Sequence, residues 1–462
     1  MNGSAQFVHD IAAIRAVERA QPSSELMARA GAAAFDVLRE TWPGAQRIAV
    51  IAGPGNNGGD GRVLARLAQK AGLHVDIVDL GTQDGPPDCD VIVDALFGIG
   101  LSRAPDGAAK ALIEAVNAHH APVLALDVPS GLDADTGIAP GAIVVADATI
   151  TFLAHKPGLF VGDGARCAGV ITLARLGVPD DAFAAHTPIA QVIDSELAAR
   201  LLGERARDAH KGAFGHVLVI GGNAGMAGAA GLAADAALRC GAGKVSIAVL
   251  PGMGACVAGT RPAAMVHEIA DAEALARLLE RATVVAIGPG LGTDAWARAM
   301  LEAAIACTKP LIADADALNL LAGTAYRRAD WIITPHPGEA ARLLKRPVAD
   351  VQGDRFGTVR ALAAAGGAVA VLKGAATLVA SAEGRVHICN AGNPGMAAGG
   401  MGDVLTGVIA ALRAQGLGAL DAATAGVQLH AEAGDIAALE GERGLLPGDL
   451  LPLLRRRVNG LP

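Results

Sequence analysis

Aromatic residues are scarce: Phe, Trp and Tyr together make up 3 % of the 462 residues. Large rings therefore cannot fill the interior. With 60 glycines and abundant alanine, the chain is suited to close packing of helices on sheets and to tight, backbone-lined loops. Basic charge in excess is also missing. A net charge of −8 excludes a general nucleic-acid binder, which needs a basic surface, although a few local donors suffice for a nucleotide. Paired cysteines are missing too. Cys89, Cys167, Cys240, Cys256, Cys307 and Cys389 are scattered, with no C-x-x-C, which argues against a disulfide framework or zinc site and fits a reducing cytosol. The opening MNGSAQFVHD has no basic segment followed by an apolar run. No uncharged apolar stretch reaches the roughly 18 residues of a membrane span. The expectation is a soluble cytoplasmic protein that binds neither membrane nor nucleic acid.

Hydrophobic residues make up 52 % and charged residues 18 %, so the chain can bury large cores and is not disordered. Its length points to two or three domains. In the first half, helical patterns (11–20, 23–42 with Ser23 or Ser24 as cap, 60–72, 108–120) alternate with apolar strands at RIAVIAG, HVDIVDL, CDVIVDALFG, PVLALDVPSG and DATITFLAH. That alternation predicts a mostly parallel sheet covered on both faces. Residues 178–210 change character, and a second alternating series starts at HVLVIGG. It continues through KVSIAVL, TVVAIGPG, PLIADADAL, WIITPHP, AVAVLKG and HICN. The boundary is expected near 190–200, giving domains 1–190 and 195–462.

In the first domain, a strand runs into Gly53-Pro54-Gly55-Asn56-Asn57-Gly58-Gly59-Asp60-Gly61. The pattern G-x-G-x-x-G suits backbone donors approaching a phosphate, but a turn without ligand looks the same. The polar insert is more informative. Oxygens of Asn56, Asn57 and Asp60 are hard ligands, suited to a cation or to sugar hydroxyls. Two further strands end in Asp94 and Asp127, with Ser130 just beyond. One such Asp alone reads as a cap or turn residue; three polar strand ends together point to a shared crevice at the carboxyl edge of the sheet. Asp127 is the candidate acid/base. Lys156, in LAHKPG, is a second candidate or else a surface lysine before a turn.

GNNGGDG, DALFGIGL and DVPSG, in this order, resemble the NAD(P)H-hydrate epimerase family over roughly residues 8–180. The resemblance implies a Rossmann-like three-layer sandwich. It implies that Asn56, Asn57, Gly58, Gly59 and Asp60 contact the hydrated dinucleotide, as do Asp127 and the loop Gly98, Ile99, Gly100, Leu101, Ser102, Arg103 and Ala104. It also implies a potassium ion near Asn57, Asp94 and Ser130. Arg62 departs from the family, which usually has an aromatic there, and so bears on contact with the nicotinamide or adenine end.

The second domain has a Gly/Ala-rich segment at 221–243, either an anion site or tight helix packing. His336 lies between two prolines, which hold it rigidly. Lys373-Gly374-Ala375-Ala376-Thr377 offers a cation, a turn and a hydroxyl suited to a polyphosphate, as any Lys-Gly turn would. Asn393 to Asp403 is the strongest signal: glycines before a helix make an anion hole. Asp403 beside it is a base for a hydroxyl or a helix cap.

This segment resembles the ribokinase-like superfamily. GPGLG, DADALN, TPHPGE, KGAAT and GNPGMAAGGMGDVLTG together are similar to the ADP/ATP-dependent NAD(P)H-hydrate dehydratase family over about 200–462. The resemblance implies a ribokinase-like three-layer sandwich. It implies contacts to the (6S)-hydrate from Ala229, Gly290, His336 and Asp403, and to the adenine nucleotide from Lys373, Gly374, Ala375, Ala376, Thr377 and Gly402. The fusion favours ADP over ATP as co-substrate, with magnesium accompanying it. The expected whole is a homo-oligomeric repair enzyme acting on NADHX and NADPHX, in which the first domain interconverts the (6R) and (6S) hydrates and the second dehydrates the (6S) form. Other readings are a sugar or vitamin-precursor kinase, a non-enzymatic binding module and an NAD-linked dehydrogenase.

Overall fold

The computed structural model describes residues 6–81, 85–101, 103–324 and 327–461. The chain divides into two compact units between Gln191 and Val192. The first holds β1 (Phe7–Val8), β2 (Arg47–Ala52), β3 (His74–Asp79), β4 (Val91–Ala95), β5 (Val123–Leu126), β6 (Ala148–Phe152) and β7 (Val170–Ala174). Strand β8 (Ala190–Val192) spans the division and pairs antiparallel with β1. Strands β3-β2-β4-β5-β6-β7 form one sheet in that order, all parallel.

Every residue of β4 is buried, as a parallel strand covered on both faces requires. Ala49, Ile51, Ile92, Val123 and Ala125 meet Leu112, Ile113 and Val116 of helix Gly107–Ala118. The alternate positions Val50 and Ala95 meet Gly61 of helix Asn56–Lys70. Two faces and two helix layers make the three-layer sandwich.

The sheet of the second unit comprises β9 (His216–Ile220), β10 (Lys244–Val249), β11 (Met265–Glu268), β12 (Val284–Ile287), β13 (Leu311–Ala313), β14 (Trp331–Ile333), β15 (Val369–Leu372), β16 (Thr377–Ala380) and β17 (Val386–Cys389). Its order is β17-β16-β15-β14-β13-β12-β9-β10-β11. It is parallel from β11 to β15; β16 runs antiparallel to both β15 and β17. Val217, Val219, Val245, Ile247 and Val284 pack under helices Ala227–Arg239, Met401–Ala414 and Ala419–Ala438. Alanine dominates the contact face of Ala227–Arg239, so these helices lie close.

Three local expectations need correction. Neither Ser23 nor Ser24 caps its helix: Ser23 is already the first helical residue, behind Pro22, and no side-chain cap forms. The helix expected from residue 60 starts at Asn56, so the Asn-Asn-Gly-Gly segment is its first turn. Strands β7, β11 and β16 were not legible; β11 and β7 are short and half-exposed.

Gly407 marks the closest helix approach. A Cβ there would stand 2.0 Å from the Ala233 carbonyl oxygen and 2.9 Å from the Ala236 Cβ. Gly407→Ala is therefore expected to destabilise the second unit by about 1–3 kcal/mol through overpacking. Thermal unfolding would test this, and an unchanged melting temperature would contradict the packing described.

Candidate functional sites

In each sheet the chain reverses strand order at one point, where ligand crevices form in parallel folds. In the first unit that point lies between β2 and β4. Asn57, in the helix following β2, donates through Nδ2 to the Phe97 and Leu126 carbonyls at 2.9 and 3.1 Å. It thereby ties three strand ends together. Its Oδ1 is buried without a partner.

Asp94, 1 % exposed, accepts from the Ser130 hydroxyl at 2.6 Å and from the Ser130 amide at 2.8 Å. Burial pushes its carboxyl up to about 6 against these hydrogen bonds. The Phe97 carbonyl lies 3.2 Å from the same hydroxyl. Asn57, Asp94, Ser130 and Phe97 thus gather neutral and anionic oxygens only, with one amide oxygen unsatisfied. That donor set fits a hard alkali cation.

Asp127 follows β5 in the left-handed region, at φ 68°. This conformation is costly for a non-glycine residue and aims the carboxylate. Its Oδ1 receives Lys156 Nζ at 2.5 Å. The ammonium also donates to the Thr151 hydroxyl at 2.9 Å and the Phe152 carbonyl at 2.7 Å. Lys156 is 1 % exposed, so it is no surface lysine.

A cavity of about 660 Å³ opens over this pair. Asn56, Asn57, Asp60, Gly98, Ile99, Gly100, Asp127 and Lys156 line it. Gly58, Gly59, Leu101, Arg103 and Ala104 are not among its lining residues: Gly58 packs on Gly53 and Gly59 on Met27. Ser102 lies outside the described residues.

Asp60 points into the cavity with no hydrogen bond or ion pair to any described residue. Burial, then the Asp127 and Glu18 carboxylates, push it up to about 8. Arg62 turns elsewhere, donating to the Gly53 carbonyl and pairing with Asp79. Arg15 and Glu18 of the first helix also line the cavity, and Arg15 anchors the Ile99 carbonyl at 3.0 Å. Sequence reasoning missed both, because a charged residue on an amphipathic helix carries no mark of what its face covers.

In the second unit the reversal lies between β9 and β12. The Asn223 amide donates to the Gly290 carbonyl at 2.7 Å. A Cβ on Gly290 would meet Ala229 at 3.1 Å, so those two small residues adjoin. Asp314, after β13 and 1 % exposed, accepts from Lys373 Nζ at 2.6 Å and from the Thr334 and Thr406 hydroxyls at 2.8 and 2.9 Å. Lys373 also faces Glu339 at 3.8 Å. Burial pulls its ammonium down, but the carboxylates of Asp314 and Glu339 prevail and raise it.

Gly402 stands over Lys373, whose Nζ would lie 3.3 Å from a Cβ there. Asp403 follows, in the first turn of its helix. It does not cap, since no side-chain cap bond forms and Gly400 occupies the capping position. Burial, then the charge of Asp314, raises Asp403 to about 7 against the pull of Lys373.

His336 caps helix Pro337–Leu344: Nδ1 accepts from the Gly338 and Glu339 amides at 3.0 and 3.3 Å, and Nε2, on a ring 54 % exposed, lies 3.4 Å from the Glu339 carboxylate. The Gly374–Thr377 turn joins β15 to β16. Arg355, which the sequence did not single out, holds it through the Leu372, Lys373 and Ala376 carbonyls. Among the described residues no three His, Cys, Asp or Glu side chains gather as a metal site, and no helix is long and apolar enough to cross a membrane.

The buried Asp127–Lys156 pair gives a direct test. Lys156→Met strands a carboxylate and is expected to cost about 3–5 kcal/mol, with Asp127→Asn in the same chain restoring part of the loss. Chemical denaturation of the single and double variants measures it; full additivity would refute the coupling.

Comparison with known proteins agrees with this layout. Residues 217–456 match the family model described as NAD(P)H-hydrate dehydratase. Residues 23–87 and 79–158 match that of the YjeF-related protein N-terminus. The bifunctional NAD(P)H-hydrate repair enzyme Nnr of Coxiella burnetii is 46 % identical, over 96 % of both chains. That of Escherichia coli is 43 % identical, over 94 % of this chain and 89 % of its own. Among solved structures, the ADP/ATP-dependent NAD(P)H-hydrate dehydratase of Bacillus subtilis, co-crystallised with ATP and Mg²⁺, aligns with a TM-score of 0.53. It is 29 % identical and covers 58 % of this chain and 98 % of its own. A ribokinase-like protein of Enterococcus faecalis aligns with a TM-score of 0.54 at 29 % identity, over 58 % of this chain and 95 % of its own.

Proposed function

The chain belongs to the family of bifunctional NAD(P)H-hydrate repair enzymes, and from that premise we propose how its residues divide the work. The first unit interconverts the (6R) and (6S) hydrates of NADH and NADPH in the cavity over Asp127 and Lys156. The second dehydrates the (6S) hydrate with ADP at the cluster around Asp403. The observation that carries the reading is Asp403: uncapped, beside Lys373, and with a proton affinity raised to neutrality.

In the second site, hydroxide is a poor leaving group. Transfer of the terminal phosphoryl of ADP to the C6 hydroxyl oxygen, with Asp403 taking the hydroxyl proton, makes phosphate the leaving group. Cleavage of C6–O with loss of a C5 proton then restores the ring double bond, yielding the dinucleotide, AMP and phosphate. Lys373 and the amides around Gly402 offset charge on the phosphoryl oxygens. The turn from Gly374 to Thr377, braced by Arg355, borders the nucleotide. His336, Ala229 and Gly290 border the hydrate, Nε2 of His336 serving as its donor. Among the described residues no carboxylate cluster forms a metal site, and Asp314 and Glu339 are turned to Lys373, so magnesium would enter on the nucleotide phosphates.

In the first site, Asp127 moves protons at the hydroxyl-bearing carbon while Lys156 holds its carboxylate in place, and the amides and side chains of 56–60 and 98–100 border the dinucleotide. Potassium suits the oxygens of Asn57, Asp94, Ser130 and Phe97. It would neutralise Asp94 and stiffen the junction of β2, β4 and β5. The six cysteines are all free thiols, which supports a reducing, cytoplasmic setting.

A base works when ionised, so dehydration should rise with pH through about 7 and then level. Asp403→Asn should lower its kcat by about 10²–10⁴-fold. An unaltered rate or a flat profile would remove Asp403 from the role. Given both hydrates and ADP, the wild-type chain should restore all the reduced-nicotinamide absorbance, and Asp127→Ala only the (6S) share. Complete recovery by that variant would refute the assignment of Asp127.

A further inference from the structure

The geometry points to Asp60 as a second reacting group of the first site: its unpaired carboxyl protonates the C6 hydroxyl as it leaves, while Asp127 serves the opposite face of the ring. This rests on the epimerase reading above and adds the partner that the reading lacks.

An epimerisation must treat both faces of one carbon. The cavity is lined by five charged groups: Arg15 and Glu18 of the first helix, Asp60 of helix Asn56–Lys70, Asp127 after β5, and Lys156 after β6. Helix Ser23–Thr41 contributes Ser23, Ser24 and Met27 but no charge. Two of the five are committed to protein contacts. Arg15 is bonded to the Ile99 carbonyl. Lys156 has all three ammonium donors spent on Asp127, Thr151 and Phe152.

The two aspartates are in contrasting surroundings. Asp127 is fixed as the carboxylate of a buried ion pair. Asp60 makes no hydrogen bond or ion pair to any described residue, and two carboxylates, Asp127 and Glu18, stand within electrostatic reach. It therefore holds its proton to about pH 8. A carboxyl of raised proton affinity that shares a cavity with one bonded to an ammonium suits separate acid and base roles. Asp60 belongs to neither the hydrogen bonds of Asn57 nor those between Asp94 and Ser130, so its role is separate from the oxygen set that suits a cation.

The step balances without oxidant or reductant. The C6–O bond breaks, its electron pair leaves with oxygen, and the Asp60 proton completes a water. The N1 lone pair forms the C6–N1 π bond of a planar iminium. A water then adds to the other face. Its lone pair forms the new C6–O bond, the π pair returns to nitrogen, and the surplus proton passes to the Asp127 carboxylate. Solvent exchange returns both carboxyls to their starting states, and the reverse reaction exchanges their roles.

The test uses the full chain without ADP, following (6R)/(6S) exchange by proton NMR in labelled water. Dehydration of the (6S) hydrate with ADP in a separate assay reports the state of the second unit, and thermal unfolding that of the first. Wild type should lose rate as pH rises through about 8 and install one labelled oxygen per isomerisation. Asp60→Asn should cut the kcat of exchange by about 10²–10⁴-fold with KM close to wild type, abolishing the basic limb. Asp60→Glu, which keeps an acid, should retain the limb and part of the rate. Wild-type kcat in Asp60→Asn, a rise in KM alone, or exchange without label would each overturn the proposal. If Asp60→Asn fails to fold, Asp60→Glu decides: a retained limb supports the assignment, and a folded but inactive protein overturns it. Absence of exchange in the wild type would instead refute the epimerase reading itself.

Discussion

Both sites depend on backbone being allowed to touch backbone where the strand order reverses. In the first unit a Cβ on Gly53 would fall 1.9 Å from the Leu96 carbonyl oxygen. In the second, one on Gly221 would fall 2.0 Å from that of Pro289. Neither contact tolerates a side chain. The turn after the central strand therefore lies directly on the turn after its neighbour, and the crevice has a floor of amides and carbonyls. Everything chemical is mounted on that floor: Asn57 reaches the Phe97 and Leu126 carbonyls across it, and the Asn223 amide meets Gly290 across its counterpart. The high glycine content and the scarcity of rings serve the same end.

Each unit then buries a lysine–aspartate pair beside a second carboxyl, but to different effect. In the first, Asp127 is both the partner of Lys156 and a wall of the cavity, so the ion pair faces the ligand. In the second, Asp314 lies behind Lys373, tied to Thr334 and Thr406. The lysine is thereby propped towards Gly402, and Asp403 stands forward of it. Desolvation alone would neutralise such groups. Burial first, and then the neighbouring carboxylates, lift the proton affinity of the second carboxyl, Asp60 in one site and Asp403 in the other. A hydroxyl must be protonated to leave as water and deprotonated to accept a phosphoryl group. In the roles proposed for them, Asp60 and Asp403 would meet these opposite needs according to whether each starts with its proton.

The alternation of strands and helices, both Gly-rich helix starts and the strand-end aspartates were legible because each follows from local pattern: period, turn residues, and polar residues placed where an apolar run stops. Asp94, Asp127, Asp314 and Lys373 lie at such stops, and Asp403 follows the glycine run at a helix start. What the pattern could not give was partnership over distance. Lys156 read equally as a surface residue, since nothing within LAHKPG reveals that Asp127 and Thr151 enclose it. Arg355 lies in a helix, and its three carbonyl partners come from the far side of β15. The edge strands β7 and β11 failed for another reason. An edge strand is half-exposed and loses the continuous apolar run by which the buried parallel strands are recognised.

Arg62 shows how a departure from pattern is absorbed. An aromatic at that position would offer a flat apolar surface. The guanidinium instead bonds the Gly53 carbonyl and pairs with Asp79 at the end of β3. It thus braces the turn from behind and joins β3 to the helix start. Its planar fork suits this bridging. The carbonyl it occupies belongs to the glycine whose contact with Leu96 shapes the floor, so Arg62 bears on the crevice through its frame and is not among the residues that line the cavity. The pairing also engages one carboxylate oxygen of Asp79, the acidic strand end that ordinary dinucleotide folds direct to a ribose hydroxyl.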